Sequence, residues 1–322
     1  MDQGTLKPVA AMRGGRIGPV LDRPIFIVGA GRSGSTVFHR IFCEHPGVAW
    51  QSPLCDLFPA RPSLNRMLLS SAGWPLLGRF LEHYLRPGER YKFWERYCRG
   101  FAQPCRDLVS ADVTPVHRRA IPPALARLAT SRRRRVLIKV TGWPRVGFLR
   151  ELFPDAKFIH VYRDGRAVAS SLLAVHFWRG WKGPPQWGFG ALDPEQQAEW
   201  ERHGRSFAAL AGIQWKLLMA AMDAAVQDLS PRDLLQVRYE EFIADPVASF
   251  KAVANFCELD WPASFERAIG RQRLATANDK WRENLTPAQQ RTLEQVLADS
   301  LQRYGYPVRA CAADGAFPSR RP

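Results

Sequence analysis

The chain has 322 residues, of which 46% are hydrophobic and 24% charged, with a formal net charge of +16. That composition excludes a disordered or fibrous polymer and leaves a globular chain able to bury one large core or two small ones. So large a cation excess calls for anionic partners or an anionic substrate. The six cysteines, Cys43, Cys55, Cys98, Cys105, Cys257 and Cys311, form no CxxC pair and no zinc spacing. They read as free thiols in a reducing compartment. Residues 1–23 are Gly-rich and polar, with no apolar run for a signal peptide or a membrane span. They are read as a flexible N-terminal arm, and the protein as soluble and cytoplasmic.

The first ordered elements fall in Arg23–Phe42, RPIFIVGAGRSGSTVFHRIF. Ile25 to Val28 is a short β-branched apolar run, the pattern of a buried strand. Three glycines in Gly29–Gly34 let the backbone turn tightly and come close to a ligand. From Ser35 the chain turns helical, with Val37, Phe38, Ile41 and Phe42 on one face. Strand, glycine loop and helix start together aim backbone N–H groups and the positive end of a helix at one point, an anion site and most often a phosphate site. Gly29-x-Gly31-x-x-Gly34 also fits a dinucleotide fingerprint, but the acidic Asp56 lies in a loop-like stretch and not at a strand end. Read as an ATP loop, Gly29-x4-Gly34 has Ser35 where the phosphate-gripping lysine belongs, with Arg32 as its cation instead. A glycine turn without a ligand is the remaining reading.

His45-Pro46-Gly47 breaks the chain, and Gln51 to Pro62 is loop-like. Arg66 to Gly100 has helical spacing with many aromatics, read as a peripheral helical layer or an acceptor-binding wall. Val109 to Thr114 reads as a short strand ending in Asp112 and Thr114. The run Arg132–Arg135 reads as a solvated segment before the strand Val136–Val140, or as a seat for an acidic polymer. Lys157 to Ser171 is again strand, tight turn and helix, with Arg163 and Arg166 in the turn and Ser171 eight residues beyond Arg163. Phe177 to Phe189 packs aromatics, Gly and Pro into a segment that cannot be regular helix. It would lie near a site mouth or fold back as a buried loop. Pro194 to Leu229 reads as one long core helix, Leu234 to Arg238 as a strand, and Val247–Cys257 and Pro287–Tyr304 as helices, the last capped by Thr286. Residues 309–322 are read as a disordered tail. Strands and helices alternate, which predicts an α/β three-layer sandwich with a central parallel sheet and both phosphate turns at C-terminal strand ends.

Taken together, these motifs resemble the sulfotransferases that use 3′-phosphoadenosine-5′-phosphosulfate (PAPS). In that family a basic-Ser-Gly-Ser/Thr-Thr loop holds the phosphosulfate, and Arg32-Ser33-Gly34-Ser35-Thr36 matches it. A later strand–Arg-Asp-x-Arg–helix segment holds the 3′-phosphate through an Arg and a Ser eight apart, and Arg163 with Ser171 matches that. Phe153–Ile159, Val237–Phe242, Ala244–Pro246 and the basic-aromatic Lys280-Trp281-Arg282 resemble further family segments, over about Pro24 to Tyr306. The resemblance implies a single domain over residues 24–308 with a P-loop-NTPase-like sulfotransferase fold. It implies in-line sulfuryl transfer to a hydroxyl or amine of a carbohydrate, lipid, peptide tyrosine or small molecule. Arg32, the Ser33–Thr36 amides and Lys139 would stabilise the leaving phosphate, with Arg163, Ser171, Lys280, Trp281 and Arg282 on the nucleotide and no metal needed. Golgi relatives carry a membrane anchor that this chain lacks.

The catalytic base does not carry over. The glutamate of the tyrosylprotein branch aligns near Ser52 or Pro53, and the histidine of cytosolic relatives falls on Thr141. Asp56 and Asp112 are the candidate carboxylates; bacterial relatives often have an acid beside Thr-Pro at the latter place. His39 is read as a helix-surface residue. A basic nucleic-acid-binding protein is the second function class, opposed by the lack of a recognition helix or RNP-type aromatic pattern.

Overall fold

The computed structural model describes residues 21–71, 85–102, 105–274 and 278–308. Most of the proposed arm, the tail 309–322 and residues 72–84 of the aromatic helical stretch lie outside the described residues. Five strands, β1 (Ile25–Val28), β2 (Val48–Trp50), β3 (Arg135–Lys139), β4 (Lys157–Tyr162) and β5 (Leu234–Arg238), form one sheet in the order β2-β3-β1-β4-β5. Every pairing is parallel: Phe26 lies opposite Ile138 on one side and Phe158 on the other. Helices cover the sheet. All four residues of β1 are fully buried, as a near-continuous apolar run in a doubly covered parallel sheet must be.

The sandwich expected from the alternating elements is therefore the one observed. Strand β2 had no sequence signal, because three residues become a strand only through pairing with β3. Val109–Thr114 is the converse: Ser110–Asp112 is a 3-10 turn, outside the sheet. The predicted helix Pro194–Leu229 is two, Pro194–Arg202 and Phe207–Val226, broken where Gly204 and Arg205 take left-handed φ values of 65° and 54°.

The arginine run also departs from a solvated segment. The Arg133 guanidinium donates to the carbonyls of His45 and Val48 and stacks 4.7 Å from the Trp50 ring. Arg135 lies in β3, almost fully buried, and donates to the carbonyls of Arg23 and Cys257. Backbone carbonyls replace the water these guanidinium groups leave behind, which is what makes their burial tolerable. Arg23, assigned to the arm, is in turn anchored by its N–H to Asp155 and by its carbonyl to Arg135.

The core has two parts. One runs through the sheet and stacks Phe38 of helix α1 (Ser35–Phe42) on Phe250 at 4.8 Å. Helix α2 (Tyr91–Tyr97) buries Phe93 and Trp94 in this part. The other joins helices α3 (Gly165–Leu173), α4 (Phe207–Val226) and α5 (Pro287–Arg303) around Trp215, Leu297 and Trp281. Helix α4 is long and apolar enough to cross a membrane by length and composition, but here its residues from Ala208 to Met222 supply core contacts. Thr286 caps α5 as expected, accepting from the Gln289 N–H.

His160 of β4 is fully buried, and among the described residues neither ring nitrogen has a hydrogen-bond partner. Burial pushes its pKa down to about 4, so the imidazole is neutral in the fold. Between the unfolded value and that one, the unfolded chain binds the extra proton, and stability falls as pH drops. His160→Leu is expected to remove on the order of 2 kcal/mol of the stability lost between pH 7 and pH 4.5. Urea unfolding at the two pH values checks this; equal acid losses in the two proteins would contradict it.

Candidate active site

Because all five strands are parallel, the turns after them collect along one edge of the sheet. Strand β1 leads through α1 to β2 on one side, whereas β4 leads toward β5 on the other. Connections that leave adjacent strands in opposite directions open a crevice between them, the place where open α/β sheets bind ligands. The glycine loop and the Arg163 turn are its two walls.

The glycine loop uses backbone conformations that glycine adopts freely. Gly29 has φ 146° and Gly34 φ 82°, and a Cβ on Gly34 would come within 2.2 Å of the Tyr239 ring. Arg32 itself is left-handed at φ 71°, a conformation that costs a non-glycine residue about 1–2 kcal/mol. The Arg32 side chain is exposed, and the chain enters α1 three residues later at Ser35. Ser33 is fully buried, and among the described residues its hydroxyl has no partner. Ser35 is buried and Thr36 is exposed.

Arg32 Nε donates to Ser171 Oγ at 2.9 Å, joining the glycine loop to helix α3. Arg163, at the end of β4, stacks 4.4 Å from the Tyr239 ring and donates to Asn278 Oδ1 at 3.2 Å. Arg166, in the same turn, points the other way. It is almost fully buried, pairs with Asp164 and lies 4.8 Å from the Trp281 ring. Asp164 in turn caps α3 by accepting from the Arg166 N–H.

Trp281, assigned to the nucleotide, is instead a core residue at 2% exposure, packed between Arg166 and Arg282. It cannot offer a ring face to a ligand; it supports the two arginines. Lys280 beside it is exposed, and Arg282 is half-buried with its Nε 3.5 Å from Asp279.

Lys139, the last residue of β3, is nearly buried and donates to Thr36 Oγ1 at 2.7 Å. Burial lowers its pKa below the ordinary lysine value, with Arg40 and Arg32 adding to the effect and Glu89 opposing it. Glu89 Oε1 lies 3.6 Å from Lys139 Nζ and accepts from Thr141 Oγ1 at 2.5 Å. Glu89 was not among the residues the sequence suggested. It sits in a Pro-Gly turn whose partner is 52 residues further on, so no local spacing marks it.

Neither candidate carboxylate joins this group. Asp112 is gripped by both terminal nitrogens of Arg106 and by the Val109 N–H. Those bonds, the Arg106 one foremost, hold its pKa down to about 2, too low for a useful base. Asp56 accepts from the Lys92 N–H at the start of α2 and lies 3.7 Å from Arg90, which is the work of a cap. His39 is buried, not on the surface; burial, then Lys139, Arg90 and Arg40, push its pKa well below the ordinary value, and both ring nitrogens lack partners.

Beyond Thr141 a cavity of about 200 Å³ opens, lined by Trp143, Leu172, Phe177, Trp178 and Phe189. The 177–189 segment thus does both things expected of it. Trp178 and Trp187 are buried in a folded-back loop, while Phe177 is exposed with its ring 6.0 Å from the Arg32 guanidinium.

The model of the sulfotransferase family matches residues 24–263. The chain belongs to the sulfotransferase family. It is an enzyme of that class. The omega-hydroxy-beta-dihydromenaquinone-9 sulfotransferase Stf3 of Mycobacterium bovis is 23% identical over 328 residues, covering 89% of this chain and 76% of that protein. Among solved structures, the sulfotransferase STF9 of Mycobacterium avium superposes with a TM-score of 0.55 at 19% identity, covering 89% of this chain and 78% of its own. A sulfotransferase domain from the curacin biosynthetic pathway superposes with a TM-score of 0.51 at 13% identity, covering 90% of this chain and all of that domain, 100%. These likenesses establish the sulfotransferase fold.

In this sulfotransferase the glycine loop and Tyr239 are built against each other. Gly34→Ala is expected to cost about 1–3 kcal/mol, because the new methyl meets an aromatic ring and the residue must keep a left-handed φ. Thermal or urea unfolding measures it; an unchanged midpoint would mean that the loop does not hold this shape.

Proposed function

We propose that the enzyme moves a sulfuryl group from PAPS to a hydroxyl-bearing acceptor in the crevice between β1 and β4. The observation that carries this reading is the bond from Arg32 Nε to Ser171 Oγ, by which two anion-binding turns 139 residues apart meet at one point. A donor with phosphate-type groups at both ends of a ribose needs two such turns side by side. Arg32 and the Ser33–Thr36 amides hold the phosphosulfate, and Lys139 reaches the same place through Thr36. Arg163 and Ser171 hold the 3′-phosphate, with Lys280 and Arg282 adding charge from the C-terminal side. The aromatic cavity beside Thr141 takes the acceptor and favours a flat, apolar alcohol or phenol. The buried thiols of Cys43, Cys55, Cys98 and Cys257 are free, in keeping with a reducing, cytoplasmic setting.

The acceptor oxygen attacks sulfur as the bond from sulfur to the 5′-phosphate oxygen breaks. Charge grows on the departing phosphate, as in phosphoryl transfer, so catalysis depends on fixed cations and N–H donors facing that oxygen. Lys139 must be charged to serve, and its position between Thr36 and Glu89 keeps a carboxylate near enough to support the ammonium.

Arg32→Ala is expected to lower the rate of PAP release from PAPS about 10²–10³-fold with the fold intact. Arg163→Ala should instead raise the Kd for PAP about 10–100-fold, the worth of a charge-assisted hydrogen bond. Calorimetry and a PAP-release assay separate the two effects. Full turnover in the first variant, or unchanged PAP affinity in the second, would overturn these assignments.

A further inference from the structure

We infer that Glu89 is the general base that takes the acceptor proton. The inference rests on the PAPS reading above and adds to it the one group that the sequence motifs leave unassigned.

The geometry is specific. Thr36, Lys139, Glu89 and Thr141 form a connected row: Lys139 Nζ bonds Thr36 Oγ1 at 2.7 Å, Glu89 Oε1 lies 3.6 Å from Lys139 Nζ, and Thr141 Oγ1 donates to Glu89 Oε1 at 2.5 Å. One end of the row is the loop that receives the phosphosulfate. The other end, Thr141, lines the aromatic cavity together with Gly142 and Trp143. Glu89 is thus one hydrogen bond from the cavity wall at Thr141 and 3.6 Å from the lysine that bonds the donor loop, a carboxylate between the two halves of the reaction. Glu89 keeps a side chain 20% exposed, and among the described residues its second oxygen, Oε2, has no hydrogen-bond partner. That oxygen has lone pairs free for a proton.

The alternatives are already committed. Asp56 caps α2 and faces Arg90, and Asp112 is held by Arg106. His39 is sealed from solvent, with both nitrogens buried. The charged and titratable groups around Glu89 are Lys139 from β3, Tyr91 from α2 and Arg145 after β3, all of which feel its charge. Arg145 is itself occupied by the carbonyls of Phe101 and Trp143 and does not bond Glu89.

The step balances. The acceptor O–H breaks as its proton passes to Glu89, the oxygen–sulfur bond forms, and the bond from sulfur to the phosphate oxygen breaks, with its electron pair leaving on PAP. The products are a sulfate ester and PAP, and Glu89 then gives its proton to solvent.

Water is the simplest acceptor, so the test is hydrolysis of PAPS by the full chain, followed as PAP release, beside calorimetric binding of PAP. Glu89→Gln keeps the shape and the bond from Thr141. It is expected to lower hydrolysis about 10²–10⁴-fold, the usual worth of a positioned base, with the Kd for PAP within threefold of wild type. Equal hydrolysis rates in wild type and Glu89→Gln overturn the inference, and so does a loss of rate matched by an equal loss of PAP affinity. If the wild-type protein fails to bind PAP at all, the donor assignment has failed first and takes this inference with it.

Discussion

The site depends on the position of β1 between β3 and β4. That arrangement makes the chain leave neighbouring strands in opposite directions, and the crevice so formed receives the ends of four strands. Lys139 ends β3, the glycine loop follows β1, Arg163 follows β4 and Tyr239 follows β5. None of these residues is near another in sequence. Only the parallel register, with Ile27 beside both Lys139 and Ile159, brings them to one edge.

Holding so many cations at one edge is unfavourable without a ligand, and the fold manages the charge in two ways. Some arginines are turned into structural parts: Arg166 pairs with Asp164 beneath Trp281, and Arg145 is wrapped by backbone carbonyls. Others, Arg32 above all, stay exposed at the mouth. Lys139 lies between these cases, desolvated enough for its charge to act strongly and kept charged by Glu89. A low local dielectric strengthens each interaction with a transferring sulfuryl group and equally penalises any cation left without a partner. The glycine loop supplies the remaining donors without adding charge, at the cost of left-handed backbone at Arg32.

Much of this was legible in the sequence because its signals are local. Strands β1, β3, β4 and β5 are apolar runs long enough to declare themselves, and the two phosphate turns carry Gly and Arg in fixed spacing. What escaped is set by partners far along the chain. Strand β2 exists only as a neighbour of β3, whereas Val109–Thr114 has strand-like residues and no sheet partner. Arg133 and Arg135 look solvated in a run of four arginines, and only the folded chain supplies the carbonyls that bury them. Trp281 lies in a basic-aromatic segment that resembles a nucleotide contact, but its ring is taken into the core part that holds α3, α4 and α5. Glu89 is the sharpest case, an ordinary surface-type residue in a Pro-Gly turn until Thr141 and Lys139 fold against it.

The measurement that bears most directly on the account is calorimetric titration of the protein with PAP beside adenosine 5′-monophosphate, which lacks the 3′-phosphate. If both turns belong to one nucleotide site, PAP binds at micromolar Kd or tighter and the monophosphate at least tenfold more weakly, since the contacts of Arg163 and Ser171 are lost. Equal affinity for the two ligands, or no affinity for PAP, would mean that the Arg163 turn is not a phosphate site and that the two motifs do not work together.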